Sequence, residues 1–187
     1  MVVGPAGALA TRAESEYRVA AVSKVELVAA GVDEQAALRH LYEFYVYDFS
    51  ELVDLDVDDR GHFDATRLER HFTDPLCHPF LIRVAGRLAG FVIHEGRSRL
   101  TGEVGVHDVA ELFVMRKYRR NGVGARASTA LFDRFAGPWQ VRQVRANVAA
   151  TAFWRKVIAR YTAGAYTEVE WDDPRFRGIV QQFVVTP

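Results

Sequence analysis

A single cysteine, Cys77, stands in the 187 residues. No intrachain disulfide can form, and the chain suits a reducing compartment, which we read as cytoplasmic. Neither sign of charge is in excess, because 24 Lys+Arg balance 24 Asp+Glu. That balance gives no global pull towards nucleic acid or an anionic membrane, and with no second basic stripe neither is expected as a partner. No apolar run approaches the roughly 18 residues of a membrane span. The first ten residues are small and apolar without a basic lead, which is not the layout of a secretory signal. The six histidines show no zinc spacing of the H-E-x-x-H kind, and no metal is expected. Residues 1–16 read as a disordered tail and residues 17–187 as one domain.

What is present is a clear alternation of strand and helix signals. Residues 22–29 alternate as a strand and Gly31 breaks it. Asp33 is placed to cap a helix that carries Leu38, Leu41, Tyr42, Tyr45 and Phe49 on one stripe. An acidic loop, 54–64, follows, then a short helix over 65–72 capped by Asp64. Strands are expected over 80–84, 88–94 and 106–114, the last largely apolar from Val109 onward, as for a strand covered on both faces. The next helix spaces Val123, Ala127, Leu131 and Phe135 four apart, and Gly137-Pro138 ends it. A strand over 139–146, a helix over 149–161 and two strands over 165–171 and 179–185 complete the chain. The sum is an α+β fold, a mixed central sheet of about seven strands flanked by about four helices. An exposed edge strand near the C-terminus would suit a homodimer.

The segment from Glu111 to Gly124 carries the chemistry. A buried strand ends, a basic turn follows, and a helix opens at Gly122. Helix N-termini leave amide N–H groups unpaired and positively polarised. Glycine there lets a phosphate approach the backbone without a Cβ in the way. Arg119 and Arg120 add forked, fully charged donors. A pyrophosphate is the natural guest. A solvated basic turn is the plainer reading of the same arginines.

With Arg119, Gly122 and Gly124 in the pattern R-x-x-G-x-G, the segment resembles the coenzyme-binding signature of the GNAT superfamily of N-acetyltransferases. Asn147 followed by Phe153-Trp154 resembles that family's second motif, and the order of elements is also the family's. The resemblance implies a sheet splayed between its fourth and fifth strands. It implies acetyl-CoA as co-substrate, with an amine acceptor. It assigns coenzyme contacts to Phe113, Val114, Met115, Arg119, Arg120, Asn121, Gly122, Val123, Gly124, Ala125, Asn147 and Trp154, with the Val114 N–H polarising the thioester carbonyl. The amine would attack the thioester directly, with no covalent enzyme intermediate.

Deprotonating the amine calls for a carboxylate or a water chain. Glu111, three residues before Val114, is the first choice as base. Asp108 is the second and His107 a weaker third. The plainer reading is that Glu111 faces a neighbouring strand or pairs with an arginine. Trp154 departs from the family, whose relatives often place a proton-donating Tyr there; Tyr118 and Tyr166 are the nearest substitutes by sequence. That departure keeps open a non-catalytic acyl-CoA-binding or regulatory module. Tyr42, Phe44, Tyr45, Tyr47 and Phe49, with Asp48 and Glu51, are candidates to line an acceptor pocket, or are core. Asp54, Asp56 and Asp58 mimic a calcium loop, but Asp59 stands where glycine is needed and Ala65 where a bidentate Glu is needed. Cys77-His78 lacks an orienting third group.

Overall fold

The computed structural model describes residues 24–187. The expected tail and the first residues of the expected first strand lie outside them. Strand β1, Val25–Ala29, is followed by a single 3-10 turn at Val32–Glu34 and helix α1, Gln35–Phe49. Helix α2, Thr66–Thr73, precedes three strands, β2 at Cys77–Val84, β3 at Arg87–Arg97 and β4 at Val104–Val114. Helix α3 spans Val123–Phe132, β5 spans Gly137–Val144, and α4 spans Val148–Tyr161. Strands β6, Thr167–Asp173, and β7, Phe176–Val185, close the chain. The element order is the one read from the sequence.

The seven strands form one sheet in the order β1-β2-β3-β4-β5-β7-β6, with β6 at an edge. Among the described residues only β4 and β5 pair in parallel, at His107 with Trp139 and Asp108 with Gln140. Beyond Asp108 the two strands diverge and leave a wedge between them. The expected splay is present.

Alternation along the central strands sorts their side chains into two cores. Leu81, Phe91, Ile93 and Phe113 pack with Leu38 and Leu41 of α1 and Leu68 of α2. Ile82, Val92 and Val109 pack with Val123, Ala127 and Leu131 of α3 and with Trp154 and Ile158 of α4. Each fully buried side chain of this kind contributes about 1.5–3 kcal/mol.

Two local expectations change and one holds. Asp33 lies within the 3-10 turn, and the side chain that caps that turn is Glu34, whose Oε2 accepts from Gly31 N at 3.1 Å. Asp64 does accept from Thr66 N, at 2.8 Å, at the start of α2. Phe135 is not on α3, which ends at Phe132; its ring stacks on His94 with centroids 3.8 Å apart. Phe135 kept the helical spacing because the chain, after leaving the helix, still needs an apolar group on the same core.

Candidate active site

The site begins with a defect in β4. Ile93 pairs with Glu111 and His94 pairs with Val109, so Ala110 is an extra residue, a β-bulge. Without it Val109, Glu111 and Phe113 would share a face. With it Val109 joins the α3/α4 core, and Phe113 joins the α1/α2 core. Glu111 turns with Phe113 towards α1. The bulge therefore decides which side of the sheet receives the carboxylate.

Both Glu111 oxygens are engaged. Tyr45 Oη of α1 donates to Oε2 in a short hydrogen bond. Arg99 Nη1 lies 3.4 Å from Oε1. Burial, then the Glu111 charge, pushes the Tyr45 phenol well above its usual range. Tyr45 therefore stays protonated and acts as a donor. Asp108 is wholly buried and accepts from Arg142 Nε at 2.8 Å. His107 is turned away from the wedge, onto Ala136 O at 3.1 Å and His94.

A cleft of about 770 Å³ opens along the splay. Glu111, Leu112, Asn147 and Trp154 line it, and Tyr42, Tyr45 and Phe49 form its α1 wall. Asp54 and Asp56 of the acidic loop also line it. Asp108 does not, whereas its partner Arg142 does. Phe44 and Tyr47 are exposed on α1, 56% and 61%, and lie outside the cleft. Asp48 faces Arg116 and Arg119 instead, and Glu51 is 4.0 Å from Arg116.

At the far end of β4, Val114 is opposite Gly90, while Met115 N donates to Ala89 O at 2.8 Å. In an antiparallel ladder that places Val114 at a non-hydrogen-bonded position. Its N–H is directed away from β3, towards the side from which β5 has diverged. The approach of β3 here depends on Gly90, because a Cβ on it would lie 2.0 Å from Phe113 O.

The turn from Arg119 to Gly124 is curled by two left-handed residues, Arg120 at φ 62° and Gly122 at φ 73°. Its carbonyls are tied inward. Asn121 Nδ2 donates to Arg119 O at 3.1 Å and Arg126 Nη2 to Asn121 O at 3.0 Å. The first bond of the α3 ladder runs from Arg126 N to Gly122 O, 3.0 Å. The N–H groups of Val123, Gly124 and Ala125 precede that ladder and form the positive end of the helix. Gly124 lets Phe153 of α4 come close, since a Cβ there would be 3.2 Å from the Phe153 ring.

The arginines of this turn divide. Arg119 Nε donates to Val114 O at 2.6 Å, and its Nη2 donates to Asp48 Oδ2. Its guanidinium braces the turn against β4 and α1. Burial pushes the Asp48 carboxyl up, but hydrogen bonds from Arg119 and Arg116 outweigh it and hold the group below its usual value. Arg120 is exposed on the turn. Asn147 caps α4, its side-chain oxygen accepting from Ala150 N at 3.0 Å. Trp154 is buried against Phe153 and Phe132.

Residues 37–158, which include the splayed β4/β5 pair and the glycine turn, match the family model of the Acetyltransferase (GNAT) family. The chain belongs to the GNAT acetyltransferase family. Its fold is that of an acetyltransferase from Thermus thermophilus, with a TM-score of 0.63 at 15% identity over 88% of this chain and 99% of that one. The aminoglycoside acetyltransferase AAC(6')-Ib in complex with coenzyme A and kanamycin superposes with a TM-score of 0.63 at 13% identity, over 86% and 95% of the two chains. The ribosomal-protein-S18-alanine N-acetyltransferase from Escherichia coli does so at 0.56 and 12% identity, over 88% and 96%. No curated protein sequence matches the chain significantly. The acetyltransferase is thus an acyltransferase by family. Among the described residues no helix is long and apolar enough to cross a membrane.

Of the residues singled out in the sequence, Glu111, Asn147 and Trp154 line one cleft, and the turn from Arg119 to Gly124 lies beyond the end of β4. The sequence reading missed Tyr45 as a partner of Glu111, 66 residues away, and Arg99. Tyr45 was visible only as one aromatic of a helical stripe. Arg99 had no signal beyond its place in a glycine-containing connection.

Proposed function

We infer that the protein is an acetyl-CoA-dependent N-acetyltransferase acting on an amine acceptor. The observation that carries the reading is the wedge itself. It joins a helix N-terminal N–H cluster, a strand N–H directed into the gap at Val114, and a carboxylate three residues earlier on the same strand at Glu111. The first suits a pyrophosphate, the second a thioester oxygen, and the third an ammonium proton.

The coenzyme would lie with its pyrophosphate over residues 120–125, against the N–H groups of Val123, Gly124 and Ala125. Its pantetheine would run along Phe113, Val114 and Met115 on one side and Asn147 and Trp154 on the other. The acceptor would enter past Tyr42, Tyr45 and Phe49. Glu111 takes a proton from the ammonium, and the neutral nitrogen attacks the acetyl carbon. The C–N bond forms, the C–S bond breaks, and the thiolate takes up a proton as coenzyme A leaves. Trp154 has no acidic proton to give, Tyr45 is committed to Glu111, and Tyr118 and Tyr166 pack on the core without lining the cleft, so solvent supplies that proton. Asp108, buried behind Arg142, supports the floor of the wedge rather than the transfer. The co-complexes of AAC(6')-Ib with coenzyme A support the coenzyme assignment by fold alone.

The test is thiol release from acetyl-CoA across a panel of amines, paired with thermal shifts by coenzyme A. Acetyl-CoA should stabilise the protein by about 2.7 kcal/mol at 100 times its dissociation constant. Glu111→Gln should lower turnover about 100-fold or more with coenzyme affinity unchanged. Stabilisation without thiol release from any amine would leave a coenzyme-binding module instead.

A further inference from the structure

Resting on the reading of Glu111 as the base, we propose that Arg99 is the positioning residue of the acetyltransferase, fixing the β4 bulge and through it the aim of Glu111. One nitrogen, Arg99 Nη1, reaches both the carbonyl of the bulged residue, Ala110 O at 3.2 Å, and Glu111 Oε1 at 3.4 Å. The bulge costs β4 a regular ladder position, and an extra residue can in principle be accommodated one place earlier or later. A shift of the bulge past Glu111 would return the carboxylate to the face of Val109, away from the acceptor cleft. A donor held on the Ala110 carbonyl selects one phase.

Arg99 is itself held. It belongs to the tight connection between β3 and β4, which Ser98 organises from a buried position. Ser98 Oγ donates to Gln140 Oε1 of β5 at 2.7 Å and accepts from Leu100 N at 3.2 Å and Thr101 N at 3.0 Å. Leu100 is buried beside it. The Arg99 stem therefore leaves a rigid turn tied to the strand on the other side of the wedge. Burial pulls the guanidinium down, but Glu111, Asp108 and Glu95 around it outweigh that and keep it charged. Glu95 Oε2 lies 3.8 Å from Arg99 Nε.

A guanidinium presents several donors in a fixed fork, and an ammonium is a point charge. Arg99→Lys keeps the charge and loses the fork; Arg99→Met loses both. With an amine that the wild type turns over, Arg99→Met should lower kcat at least about tenfold while the KM for acetyl-CoA stays within about twofold. Arg99→Lys should recover part of that loss. In a Glu111→Gln background, Arg99→Met should cost less than about twofold more, because both act through one carboxylate.

Hydrogen exchange supplies a readout that needs no acceptor. In Arg99→Met, exchange should quicken over residues 109–114 and not across the rest of the sheet. Quickening throughout the sheet would mean a general structural role and overturn the inference. Wild-type turnover in Arg99→Met beside a crippled Glu111→Gln would overturn Arg99 alone, as would equal Arg99→Met losses in both backgrounds. Full turnover in Glu111→Gln would overturn the reading of Glu111 as base, and this inference with it.

Discussion

Acid should unfold this protein through His94. Its ring is 1% exposed, stacked on Phe135, with Nε2 2.9 Å from His107 Nδ1. His107 Nε2 faces Ala136 O at 3.1 Å, and a carbonyl can only accept. That fixes the tautomers along the chain: His107 donates from Nε2 and accepts at Nδ1, and His94 donates from Nε2. His94 Nδ1 is then a bare acceptor, buried and without a partner. A second proton would have to go there, into an apolar setting. Burial first, then His107 and His78, pull the group from 6.5 to about 3. The unfolded chain binds the proton first as pH falls, so the stabilising contribution is complete above about pH 6.5 and is lost progressively down to about pH 3. At about 1.4 kcal/mol per pH unit the interval sets a ceiling of about 5 kcal/mol. That is a large share of the roughly 5–15 kcal/mol typical of a folded domain.

Urea unfolding at half-unit steps from pH 7.5 to 4.5 measures this. His94→Phe should cost about 1–2 kcal/mol at pH 7.5, where it loses the hydrogen bond to His107. It should also remove about 1.4 kcal/mol per pH unit from the slope below pH 6.5. The two curves should therefore cross between about pH 6 and pH 5. His71, pulled by burial and by Arg99 and Arg70 to about 4, leaves a residual slope in both proteins. A variant with the wild-type slope would refute the tautomer chain and the buried acceptor.

Gly90→Ala would bring its Cβ to 2.0 Å from Phe113 O, so β3 must part from β4 beside Val114. We expect a loss of several kcal/mol in thermal unfolding and weaker coenzyme binding by calorimetry. Gly122→Val should lose about 1–2 kcal/mol to its left-handed backbone and most of its coenzyme affinity. Gly164→Val, at φ +88° in open space beyond α4, should lose comparable stability and none of the affinity, which separates strain from cradle in one thermal-shift titration. Arg119→Ala frees Asp48 Oδ2 and Val114 O, leaves Arg116 on Asp48 Oδ1, and should weaken coenzyme binding; an unchanged dissociation constant would show that the brace on the turn is dispensable.

The sequence by itself determined the order of elements and the glycine turn that opens α3. Those depend on neighbours close in the chain: the alternation over residues 22–29, the spacing of four from Val123 to Leu131, and the glycine at the head of α3. It also put Glu111 within reach of the wedge, because three residues separate it from Val114. It did not determine which face of β4 Glu111 takes. One unpaired residue, Ala110, reverses that face, and a bulge leaves no trace in an apolar run such as Val109 to Val114. Nor did it determine what the charges do. Both Arg119 and Arg120 read as donors to a phosphate, yet Val114 O of β4 and Asp48 of α1, 71 residues earlier, take up the Arg119 guanidinium. The plainer reading of Glu111, paired with an arginine, holds, and the same side chain lines the cleft. Arg99 and Tyr45 reach it only after the strands are laid down and α1 is packed across them. Partners so far apart in the chain are joined by the register of the sheet, and only the tertiary structure sets that register.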